Sequence, residues 1–256
     1  MKMDFDRTGI AWYYIRRKIV PHLQAGATNQ KRKERKFFVN MRLRNIPRAE
    51  GTIQAHDAVI KQPEEQKGCW NQIFGNENPV YIEIGMGKGR FLLHMAQRYP
   101  QINFIGIERY SSVLLRALEL YDTEEFREMT NIRFICMDAR DLENVFAPDE
   151  VSRIYLNFSD PWPKARHAKR RLTSKEFFAR YEKVLASGNQ VEFKTDNTEL
   201  FKFSLEQVKE AGWVLQNYTY DLHHNEEMNQ GNIMTEYEAK FSANGNPINK
   251  LIAVRK

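Results

Sequence analysis

Three acidic residues stand where short apolar runs break into turns: Glu83 in Y-I-E-I, Glu108 after N-F-I-G-I, and Asp138 in C-M-D-A-R-D-L. A carboxylate in the position of Glu108 can accept both hydrogen bonds of a ribose diol, and one placed like Asp138 can bond an exocyclic adenine amine. Glu83 runs directly into G-M-G-K-G, where Gly85 and Gly87 permit a tight turn and close approach of a ligand to the backbone. This is no dinucleotide fingerprint, because Arg90 stands where G-x-G-x-x-G needs its third glycine. Three acids without a basic phosphate clamp suit a nucleoside carrying a positive sulfonium better than a pyrophosphate. Each acid taken alone serves equally well as a turn former or helix cap.

A second constellation is N-F-S-D-P-W-P-K-A-R-H-A-K-R-R, Asn157 to Arg171. Pro161 and Pro163 fix φ around Trp162 and hold Asp160 with little freedom. Five of the eight residues from Lys164 to Arg171 are Lys or Arg. Such a run is either a solvated face or a polyanion contact, and its place beside a strand-end acid favours the second. T-E-Y-E at Thr235–Glu238 has the S/T-x-x-E spacing of a capping box opening a helix to about Gly245. A helix start also offers free N–H groups to a ligand. His223 and His224 would face opposite ways on a strand, and no Cys/His cluster lies elsewhere, so no metal is expected.

The elements that must position these residues alternate between strand and helix. Strands are expected at Val80–Ile84, Asn103–Ile107, Ile132–Cys136, Arg153–Asn157 and Gln190–Lys194, with later ones at Trp213–Leu222 and Lys250–Val254. Helices are expected at Arg90–Tyr99, Ser111–Tyr121, Ser174–Ala186 and Glu199–Ala211. Thr173 or Ser174 can cap the third, and Gly188 and Gly212 follow the last two. Alternating βα units give an α/β fold with a doubly wound, mostly parallel sheet. Its ligands bind outside the carboxyl ends of the strands.

At these residues the chain resembles the tRNA (guanine-N7-)-methyltransferase family, from Met41 onward. The shared strings are M-R-x-R-N at Met41, I-E-I-G-M-G-K-G, N-F-S-D-P-W-P-K-x-R-H-x-K-R-R, F-K-T-D-N at Phe193–Asn197, and T-E-Y-E. The resemblance implies a Rossmann-like sheet of the class I S-adenosylmethionine-dependent type. It implies that Glu83, Glu108, Asp138 and Asp160 contact S-adenosylmethionine beside Gly85 and Gly87, with Asp160 also the active-site residue. Lys164, Asp196 and Thr235, Glu236, Tyr237 and Glu238 match substrate-binding positions, and Arg166, Lys169, Arg170 and Arg171 match the RNA-contacting stretch. The implied reaction methylates guanine N7 in tRNA, in the variable loop. Another RNA as substrate, or a non-catalytic RNA-binding module, are the competing readings. An intact Asp160 and Asp196 weigh against the module.

The net charge of +6 is unevenly spread: residues 1–50 hold 13 Lys/Arg against 4 Asp/Glu, and residues 51–256 hold 26 against 29. Residues 1–40 read as a flexible basic extension, or as sequence upstream of a start at Met41. Residues 41–256 then form the methyltransferase domain, with 41–63 as a basic N-terminal arm. No apolar run approaches the ~20 residues of a membrane span. Cys69 and Cys136 form no C-x-x-C unit, which suits a reducing cytoplasm. A monomer or homodimer is expected, with tRNA as partner and no membrane.

Overall fold

A computed structural model of the chain describes residues 45–256. The expectations for residues 1–40, and for 41–44 of the arm, fall outside the described residues. The strands are β1 Val80–Ile84, β2 Asn103–Glu108, β3 Ile132–Cys136, β4 Val151–Asn157, β5 Leu185–Thr195, β6 Val214–Thr219 and β7 Asn249–Val254. The helices are α1 Ala49–Ala55, α2 Trp70–Phe74, α3 Arg90–Arg98, α4 Ser111–Tyr121, α5 Leu142–Val145, α6 Lys175–Val184, α7 Thr198–Glu210, α8 Glu226–Asn229 and α9 Glu236–Ala243.

The seven strands form one sheet in the order β3-β2-β1-β4-β5-β7-β6. The first five are mutually parallel, and β7 runs antiparallel between β5 and β6. Chain direction reverses its walk across the sheet between β1 and β4, which creates a crevice at their carboxyl ends. Strand residues alternate between two cores, as the pleat requires. Ile82, Ile84, Ile105, Ile107, Ile154, Leu156, Val191 and Phe193 pack under α5, α6 and α7. Phe104, Phe134 and Tyr155 face the other way, under α3 and α4.

Three local features depart from the sequence expectation. The third helix stops at Val184 and β5 begins at once, because Leu185 is buried and pairs with Val151 ahead of a bulge. Gly188 therefore ends no helix; it sits inside β5 at φ 75, its N–H donating to Arg255 O. Neither Thr173 nor Ser174 caps α6 through its side chain: Gln207 of α7 accepts from Lys175 N at 3.0 Å instead. Gly212 does end α7, at φ 77.

The segment from residue 45 to 63 packs on the body. Ala49 and Ile53 of α1 are buried, and Ile46 N donates to Ser112 Oγ of α4 at 2.9 Å. Beyond α1, Phe134 of β3 exchanges hydrogen bonds with Ala58 and Ile60, so this stretch runs along the sheet's outer edge.

Candidate active site

Read across the sheet, the carboxyl ends of β3, β2, β1, β4 and β5 carry Asp138, Glu108, Glu83, Asp160 and Asp196 in turn. The fold thus lines up along one edge five acids that are spread over more than a hundred residues of chain. Gly85, Gly87 and Gly89 all have positive φ, at 72, 60 and 74. A Cβ at Gly87 would meet nothing within 4 Å, so its surroundings are open and the residue is set by φ alone. A Cβ at Gly89 would approach Ala117 Cβ to 3.0 Å, so that glycine lets α3 start close against α4.

Glu108 stiffens this turn. Its Oε2 accepts from Gly87 N at 3.1 Å and its Oε1 from Tyr110 N at 3.0 Å. Each oxygen keeps a lone pair for a diol. Burial pushes its carboxyl above the usual range, against the pull of these two N–H groups. Asp138 caps the short turn Ala139–Asp141 through Arg140 N. It also takes two bonds from the Arg140 side chain and lies 3.5 Å from Arg109. Burial opposes ionisation of Asp138, but these arginine contacts hold it below the ordinary carboxylate value. Asp138 thus fills the cap role open from sequence, and its cationic neighbours stand beside it at the end of β3.

Glu83 is 2% exposed, and Asn157 Nδ2 donates to its Oε1 at 2.8 Å. Its Oε2 is buried without a hydrogen-bond partner among the described residues. Burial drives this carboxyl up to about 8, with Asn157 and Lys194 pulling the other way. An unpaired buried acceptor behind an open glycine turn fits a ligand bearing positive charge and N–H donors.

Asp160 is exposed, on a turn the chain holds under strain. Phe158 and Trp162, two residues to either side, adopt φ of 51 and 40, a region that side chains with Cβ seldom occupy. The prolines are not the only restraint. Arg171 donates from Nε to Pro161 O at 3.0 Å and from Nη2 to Trp162 O at 3.2 Å, with its guanidinium over the Phe203 ring. Of the basic run, Arg171 therefore turns inward, while Lys164, Arg166, Lys169 and Arg170 are exposed. The run forms a short tight helix, Ala165–Arg170, in which Arg170 lies over the Trp162 ring and His167 meets it edge-on.

Asp196 follows β5 half-buried, and burial raises its carboxyl against a bond from its own N–H. The T-E-Y-E segment forms a full capping box, with both reciprocal bonds of Thr235 and Glu238 present. Glu238 is buried, and besides the box it takes Lys194 Nζ at 2.6 Å, His223 at 3.0 Å and Asn232 at 2.6 Å. Thr235 is buried too, so only Glu236 and Tyr237 of the four face outward. Glu236 pairs with Lys88 of the glycine turn at 3.0 Å, tying α9 to the first strand's end. His223 and His224 lie in a turn past β6 and bond different carboxylates, Glu238 and Asp221.

Four residues here went unassigned from sequence: Lys88, Asn157, Phe158 and Lys194. Lys194 carries a readable signal, an ionisable side chain within the expected buried strand Gln190–Lys194, where it must find a partner. Among the described residues no cluster of three His, Cys, Asp or Glu is placed to hold a metal, and no helix is long and apolar enough to cross a membrane.

This sheet order, with a glycine turn and acids at the switch point, is that of class I methyltransferases. The solved 16S rRNA methyltransferase KamB superposes with a TM-score of 0.54 at 12% identity, over 73% of this chain and 93% of that one. An antibiotic-related methyltransferase gives 0.53 at 15%, over 72% and 90%. A family model described as "Putative methyltransferase" matches residues 77–251. The tRNA (guanine-N(7)-)-methyltransferase of Lachnoclostridium phytofermentans is 57% identical over 216 residues, 84% of this chain and 99% of its own. That of Geobacillus sp. WCH70 is 52% identical over 209 residues, 81% and 93%. The chain belongs to the tRNA (guanine-N(7)-)-methyltransferase family.

Proposed function

We propose that this protein is a cytoplasmic enzyme that transfers a methyl group from S-adenosylmethionine to N7 of a guanine in the variable loop of tRNA. The observation that carries this reading is the exposed Asp160 on a clamped turn, between a crevice of strand-end acids and a projecting basic run. Glu83, Glu108 and Asp138, with Gly85 and Gly87, would hold the cofactor, which supplies an electrophilic methyl on a positive sulfur.

Guanine N7 has an in-plane lone pair, so no proton need leave before it attacks. The chain's task is then alignment and charge. The purine becomes cationic as it gains the methyl, and Asp160 and Asp196 supply fixed negative charge near it. Either carboxylate can also accept from guanine N1–H and the amino group, which makes N7 more nucleophilic. Asp160 therefore acts by position and charge, not as a general base. Lys164, Arg166, Lys169 and Arg170 are exposed where they can meet phosphates, which orient the RNA without reading its bases. Glu236 and Tyr237 are the outward residues of the T-E-Y-E segment that remain for substrate contact.

Asp160→Asn preserves shape and removes the charge. Turnover falls roughly 10²-fold or more while most cofactor affinity remains. Near-parent turnover in that variant removes Asp160 from the mechanism.

A further inference from the structure

Phe158 lies two residues before Asp160 in a left-handed conformation, φ 51, where glycine or asparagine is the ordinary occupant. Such a residue persists only where its surroundings dictate it. Three contacts do so here. Phe158 N donates to Lys194 O at 2.8 Å. Its ring stacks on Tyr237 at 6.2 Å and 27°, and on Phe241 at 6.0 Å and 25°. The two rings of α9 stack on each other at 6.1 Å and 19°, which completes a three-ring group. Phe158 and Phe241 also back onto the small core of Leu222, Met228 and Ile248.

Helix α9 is itself anchored by the residue that receives Phe158 N. Lys194 Nζ pairs with Glu238 at 2.6 Å, with the lysine side chain 5% and the carboxylate 0% exposed. A closed circuit results: Phe158 backbone to Lys194, Lys194 side chain to Glu238, and the neighbouring Tyr237 ring back to Phe158. On the far side of Asp160, Arg171 grips the carbonyls of Pro161 and Trp162. The aspartate is thereby held from both flanks, by α9 through aromatic stacking and by the basic run through hydrogen bonds.

We propose that Phe158 is a positioning residue for methyl transfer, setting the Asp160 carboxylate by stacking its own strained turn onto Tyr237 and Phe241. The claim rests on the reading of Asp160 given above. It requires that loss of the stack reach the reaction through Asp160 and leave ligand binding alone.

The test is steady-state kinetics on tRNA with Phe158→Gly, Phe158→Tyr, Phe241→Ala and Asp160→Asn, together with Phe158→Gly/Asp160→Asn. Glycine accepts φ 51 without strain, so Phe158→Gly folds and isolates the loss of the ring; melting curves place every assay below unfolding. We expect Phe158→Gly and Phe241→Ala to lower kcat about tenfold, with the KM for tRNA and the cofactor Kd within about twofold. Phe158→Tyr keeps the stack and recovers kcat. The double variant is no slower than Asp160→Asn alone, because both changes act through one carboxylate.

Parent-level kcat in Phe158→Gly, or a loss seen only in melting temperature or tRNA KM, overturns the proposal. So do multiplicative losses in the double variant. Parent turnover in Asp160→Asn overturns the underlying reading of Asp160, and is distinguished by that single variant.

Discussion

Asn157 donates its side-chain amide to Glu83 Oε1 at 2.8 Å, joining the last residue of β4 to the acid that precedes the glycine turn. The bond crosses the switch point of the sheet and ties the strand that leads into the Asp160 turn to the strand that leads into the glycine turn. It satisfies only one oxygen of a carboxyl that burial pushes up to about 8.

That displacement fixes a pH dependence. The native carboxyl keeps its proton from the ordinary 4.5 up to about 8, whereas the unfolded chain gives its proton up near 4.5. The folded state therefore binds more protons across that interval, so the stability contribution is intact below 4.5 and lost as pH rises towards 8. Glu83→Gln has no such titration. Thermal melts of the ligand-free proteins from pH 6 to 9 should show the parent losing stability relative to Glu83→Gln. Parallel curves would mean that Glu83 is ionised throughout.

The Lys194–Glu238 pair is buried on both sides, and Lys194 holds Glu238 ionised against the cost of its burial. Glu238→Gln preserves the capping-box pattern but strands the lysine charge, and Lys194→Met strands the carboxylate. Denaturant unfolding should show each costing about 3–5 kcal/mol, as for other broken buried pairs. The two together should cost less than their sum, since neither charge is then left alone. Additive costs would show that the pair is not coupled.

Among the described residues, the Glu108 carboxylate accepts from the backbone N–H groups of Gly87 and Tyr110 and lies near Arg109. Glu108→Ala should weaken S-adenosylmethionine binding by about 1–3 kcal/mol, the usual cost of hydrogen bonds to a charged group. Its tRNA affinity should stay at the parent level. Calorimetry giving an unchanged cofactor affinity would reduce Glu108 to a brace for the turn.

The basic run divides in two. Replacing Arg166, Lys169 and Arg170 with alanine should flatten the dependence of RNA affinity on log salt by roughly 0.7–0.9 per lost phosphate contact. Arg171→Ala should instead lower turnover with little change of slope, because its guanidinium is spent on Pro161 and Trp162. Equal salt slopes for the parent and the triple variant would make the run a solvated face.

Much of this site can be read from the chain because its parts are local. The glycine turn, the strand-end acids and the Pro-Trp-Pro turn each announce themselves within about a dozen residues, and parallel βα units bring such turns to one edge. What stays hidden depends on distant partners. Arg171 reads as an RNA contact until Phe203 and the two carbonyls draw it inward. Glu238 reads as a capping residue, which it is, but its pairing with Lys194 spans 44 positions of sequence. Phe158 shows nothing unusual in a sequence, since its positive φ goes with a stack on rings of α9 far along the chain. The end of α6 differs from the expectation for the same reason. Gly188 looks like a helix stop, yet tertiary pairing of Leu185 with Val151 pulls the chain into β5 earlier.

The central claim is methyl transfer to guanine N7 in tRNA. It is tested most directly by incubating the protein with methyl-labelled S-adenosylmethionine and bulk tRNA, then digesting the RNA and separating its nucleosides. The account predicts label in 7-methylguanosine alone, and strong loss of that label with Asp160→Asn. Label in any other nucleoside, or none in tRNA under conditions where the cofactor binds, would contradict it.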